Sequence, residues 1–99
     1  MTDFVYKAIV DLADDADPRA PGGAITVALC GHWDHEPPCR WPHHTDITPE
    51  GDHHVVLTTF TAAPEEEPAV RAKIVHALES GHQAGPDRHV SRWSVREER

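Results

Sequence analysis

Little in this 99-residue chain is basic: nine Lys and Arg stand against seventeen Asp and Glu, a formal charge of −8 with histidines neutral. A phosphate backbone is bound through basic charge, so nucleic acid is excluded as the expected partner. The one local basic cluster, Arg88, Arg92, Arg96 and Arg99, is diluted by Glu97 and Glu98. No apolar run approaches the roughly 20 residues of a membrane helix, so no membrane association is expected. The start, MTDFVYKAIVDLADD, puts acids where an export signal needs a basic start and a long apolar stretch. That points to a cytoplasmic protein, in which the only two cysteines, Cys30 and Cys39, stay reduced and available as ligands. Several catalytic signatures are also missing: there is no glycine-rich phosphate loop, no serine elbow, no C-x-x-C-H and no H-E-x-x-H. No internal repeat is present.

What remains is one domain's worth of chain, residues 1–99, with 38% apolar and 26% charged residues. Residues 4–13 alternate Phe4, Tyr6, Ala8, Val10 and Leu12 with polar neighbours and predict a strand. Residues 14–23, with three Asp, two Pro and two Gly, predict a turn. The apolar run 24–30 predicts a second, central strand, and 53–60 a third. Pro64, Pro68 and three glutamates suit a helix start, and Val70, Ile74, Ala77 and Leu78 make one apolar helical face ending at Gly81. Residues 82–88 read as a turn, 89–96 as a last strand and 97–99 as a frayed tail. The expected fold is α+β: a small antiparallel sheet of about four strands in the order β-β-β-α-β, one helix on a face, and a long loop over 31–52.

The chemistry is concentrated in that loop. Cys30, His32, His35, Cys39, His43 and His44 form the pattern C-x-H-x2-H-x3-C-x3-H-H. Zinc takes four nitrogen or sulfur donors in a tetrahedron, and ligands a few residues apart in a turn can converge on one ion. Pro37, Pro38 and Pro42 restrict the backbone between them. The spacing matches no standard zinc finger. One ligand set is Cys30, His32, Cys39 and either His43 or His44; another is His32, His35, Cys39 and His44. Cys30 and His32 would point to one side of an extended strand. Mixed sulfur and nitrogen donors favour zinc, and a histidine-richer set would suit copper or nickel. His53 and His54, at a strand start, point to opposite faces, and one of them could reach the cluster.

The leading expectation is a metal-binding domain whose ion orders the loop for a protein partner, with Trp33, Trp41 and Trp93 as candidate anchors and Trp93 more suited to the core. A zinc enzyme is the alternative: a metal-bound water with Glu36 as general base and Asp34 behind it. A Cys39 nucleophile activated by His35 or His43 is a variant of that idea. A copper or nickel carrier is a third. An open sheet edge would favour self-association as a homodimer.

Overall fold

The computed structural model describes residues 1–30, 41–85 and 87–98, Cys30 by its backbone alone. The elements are β1 (Thr2–Leu12), α1 (Ala20–Cys30), β2 (His43–Glu50), β3 (His53–Ala62), α2 (Glu67–Glu79), β4 (His82–Ala84) and β5 (Val90–Glu98), with a 3₁₀ turn over Pro64–Glu66. They build a curled five-stranded antiparallel sheet in the order β2-β3-β1-β5-β4 with two helices. Strand β1 is central, pairing with β3 on one side and β5 on the other. The α+β class is as expected, with five strands and two helices among the described residues rather than four and one.

β1 follows its alternation: Tyr6, Ala8 and Val10 are buried while Val5 and Lys7 face out. Its neighbour β3 sends Val56, Thr58, Phe60 and Ala62 to the same interior. Each large side chain buried there contributes about 1.5–3 kcal/mol. Helix α2 buries Val70, Ile74, Ala77 and Leu78, the face its spacing predicts. An i,i+4 ion pair, Arg71 Nε to Glu67 Oε2 at 2.7 Å, lies on its partly exposed flank. The helix stops where Gly81 takes φ 73°, a conformation that costs a β-carbon residue energy. The carbonyls left over at its end are taken up locally. Ser80 Oγ donates to Ala77 O at 2.6 Å, and the Trp93 indole donates to Leu78 O at 2.9 Å.

The expected second strand is a helix. Residues 20–30 wind as α1, burying Pro21, Ala24, Ile25 and Leu29 at helical spacing. Pro21 sits in the first turn, where its missing N–H costs nothing. Asp17 prepares that turn, its Oδ1 accepting from the Arg19 N–H at 2.9 Å and its carbonyl from the Ala20 N–H at 3.0 Å. The argument that Cys30 and His32 share one side of a strand therefore falls, because Cys30 is the last residue of a helix. The expected loop is also shorter than 31–52: residues 43–50 are strand β2. It joins β3 through a two-residue hairpin in which Gly51 takes φ 59°. The expected turn 82–88 contains the short strand β4.

Because the sheet curls, α1 meets both of its edges. Gly22 lies against β2, where a Cβ would stand 3.5 Å from Thr45 Cγ2. The first turn of α1 faces the β4–β5 hairpin across a cavity of about 220 Å³ lined by Ala20, Gly23, Ala84, Gly85 and Ser91 among others.

Candidate functional site

Of the six expected ligands, His43 and His44 fall among residues whose side chains are described; Cys30 is described by its backbone; His32, His35 and Cys39 lie outside the described residues, as do Glu36, Asp34 and Trp33. Among the described residues there is no group of three or more His, Cys, Asp or Glu placed to hold a metal ion.

His43 opens β2 on the face that looks toward the helices, paired opposite Phe60. Its Nδ1 lies 3.0 Å from the Trp41 carbonyl and its Nε2 3.1 Å from Thr26 Oγ1. A carbonyl only accepts, so Nδ1 carries the hydrogen. In the neutral ring Nε2 then holds the lone pair, which receives the Thr26 hydroxyl. Thr26 is on α1, one helical turn before Cys30. The two ends of the 31–42 segment are thus tied side by side through this contact.

His44 is the next residue and faces the other way. It is largely exposed and pairs with Asp46 Oδ1 at 2.9 Å. The neighbouring histidines therefore belong to different faces of the sheet. His53 and His54 also take opposite faces, as their adjacency requires, but at the far end of the hairpin. His54 pairs with Pro49, six positions along β2 from His43, or about 20 Å at strand rise. Neither of them comes near His43. His53 instead joins a surface network: its Nδ1 is 3.1 Å from Asp52 Oδ1, and Arg96 reaches both Asp11, at 2.6 Å, and Asp52, at 3.6 Å. His53, then Arg96, holds the Asp52 carboxyl below its usual value.

Trp41 is only 7% exposed, with Lys73 Nζ 5.9 Å from its ring centroid, and this corrects the expectation of an exposed anchor there. Trp93 is a core residue, as its pattern suggested.

A groove of about 420 Å³ runs along the outer edge of β2, lined by Pro18, Arg19, Gly22, Thr26 and Gly23 from the α1 side and His43, His44, Thr45 and Ile47 from β2. Arg19 stands at its mouth, bonded by Nε and Nη2 to the two oxygens of Asp17 at 3.1 and 2.9 Å. Those bonds hold the Asp17 carboxyl below its ordinary range. No family model, no curated protein and no solved structure matches this chain. Sequence reasoning missed the α1 wall of the groove, because it took residues 14–23 for a turn and 24–30 for a strand. The signal was the recurrence of apolar residues at 21, 24, 25 and 29, which is helical.

Proposed function

We propose that this chain is a small metal-binding domain, with zinc the expected ion, in which His43 is a ligand through Nε2. Cys30, His32 and Cys39 supply the other three donors, with His35 the alternative. The observation that supports this is the His43 ring. Its Nδ1–H is pinned by a backbone carbonyl, the arrangement that orients ligating histidines in metal sites, and an ion would take the Nε2 lone pair in place of the Thr26 hydroxyl. Nε2 faces α1 a turn from Cys30, so both ends of the Cys/His segment start from one place. His44, turned to the opposite face and bonded to Asp46, fits the set less well. The ion's role is then to order residues 31–42, whose Trp33 is offered to a protein partner, and ion binding becomes folding free energy.

Elemental analysis of the untagged protein after a chelator wash tests this. One zinc per chain is expected in the wild type and in His44→Ala, and loss of zinc in His43→Ala and Cys39→Ala. With cobalt in its place, the thiolate charge-transfer band should vanish in Cys39→Ala. A metal-free, fully folded protein, or equal retention in all three variants, would overturn the reading. Catalytic use of the ion would show as turnover lost in Glu36→Gln with zinc content unchanged.

A further inference from the structure

The geometry points to the cavity between the first turn of α1 and the β4–β5 hairpin as a binding site for a small amine, held by its ammonium group at the Asp87 carboxylate and by an oxygen at the Ser91 hydroxyl. The inference does not rest on a metal at His43: this cavity lies on the β4 flank of α1, whereas His43 meets the helix from β2. At about 220 Å³ it is larger than the roughly 150 Å³ apolar cavity that accepts benzene, so a ring with a short side chain fits. Its walls are short residues, Ala20 and Gly23 on the helix and Ala84 and Gly85 on the hairpin. At the inner end, Gln83 and Ser91 are paired across β4 and β5, so their side chains share one face of the sheet. Ser91 is only 2% exposed, and its Oγ accepts from the Asp17 N–H at 2.8 Å. The hydrogen of that hydroxyl has no acceptor among the described residues, and a buried donor left unused is costly. A ligand oxygen in the cavity would take it.

The mouth calls for the opposite kind of group. His89 gives its Nε2–H to the Asp15 carbonyl at 2.8 Å, so Nδ1 of the neutral ring is an acceptor. The Gln83 amide nitrogen donates to the Ala84 carbonyl at 3.0 Å, which leaves the amide oxygen open. Asp87 Oδ1 accepts from the His89 N–H at 3.0 Å and lies 3.1 Å from where a Gly85 Cβ would stand, so glycine there gives the carboxylate its room; Oδ2 stays open. These acceptors line one cavity, and a group carrying several N–H bonds suits them. Its charge follows from what is already neutralised. Arg19 and Asp17 are joined by two bonds, and Asp17 also takes the N–H groups of Arg19 and Ala20 at the helix start, so that corner is balanced. Asp87 has no ion pair among the described residues, and its neighbour Arg88 does not line the cavity. The net charge of −8 adds to the attraction of a cation.

Amide chemical-shift mapping of the full chain, titrated separately with tyramine, phenethylamine and hydroxyphenylpropionate, tests this. The three probes share a ring and differ at one end. Tyramine should bind saturably and shift the amides of Gly23, Ala84, Gly85 and Ser91. Phenethylamine, which lacks the oxygen, should bind at least about threefold more weakly, and hydroxyphenylpropionate, with the charge reversed, at least about tenfold. Asp87→Asn keeps an oxygen for the His89 N–H and should erase the preference for amine over carboxylate, with thermal melting unchanged. Ala20→Leu should fill the cavity and block every probe; Asp87→Asn, at an exposed residue, serves alone if Ala20→Leu does not fold. The proposal is overturned if tyramine does not bind below about 10 mM, or if either other probe binds as tightly. It is also overturned if the shifts gather at His43 and Thr45, or if both variants bind tyramine as the wild type does.

Discussion

At the scale of single residues, three positions carry more than their size suggests. Trp93 fills the core and also caps α2 through its indole N–H on Leu78 O, so Trp93→Ala should cost about 3–5 kcal/mol in a denaturant titration. Gly81 holds φ 73°, and a Cβ there would stand 2.9 Å from the Trp93 carbonyl. Gly81→Ala should therefore lose at least the roughly 1–2 kcal/mol of the left-handed conformation itself, measured the same way. Tyr6, the only tyrosine, is buried and donates to Glu98 Oε1 at 2.7 Å. Burial first, then the Glu98 hydrogen bond and charge, push its phenol far above the ordinary value. The folded state then keeps a proton that the unfolded chain sheds near pH 10, so the stability that Tyr6 contributes is constant below that pH and is lost above it. Tyrosinate absorbance should rise together with the loss of circular dichroism, and Tyr6→Phe should unfold at higher pH.

Among the elements, legibility followed the strength of the period. β1, β3 and α2 were readable because one face of each is apolar and the other polar; Tyr6, Phe60 and Ile74 lie where the patterns put them. α1 was not. Its residues 24–30 are apolar around most of the circumference, with Val27 and Ala28 half-buried beside Ile25, so the helical recurrence at 21, 24, 25 and 29 is masked by apolar neighbours. Gly22 and Gly23 pointed to a turn, yet in the fold they let α1 lie close to β2. At Gly22 a Cβ meets only ordinary contacts, and helical glycine is costly, so Gly22→Ala should raise stability by about 0.5–1 kcal/mol in thermal or denaturant melts. β2 escaped notice because one inward position is a histidine and another a proline, leaving Thr45 and Ile47 to carry the pattern. β4, three residues long, is too short for any period to show.

For the molecule as a whole, the acidic balance and the Cys/His pattern were plain in the sequence, whereas the partnership of His43 with Thr26 was not, since it joins a misread helix to an unforeseen strand. If an ion lies at that junction, chelation should lower the melting temperature, and the loss should be smaller in His43→Ala, whose zinc is already gone. The central position of β1 has a further consequence, for timing. Its partners are residues 54–62 and 93–98, and Ala8 pairs with Glu98. A nascent chain leaving the ribosome thus keeps one flank of β1 bare until residues 93–98 have emerged. Such non-local closure is slow, on the order of milliseconds to seconds, and chaperones that shield sticky β-surface have that interval in which to act.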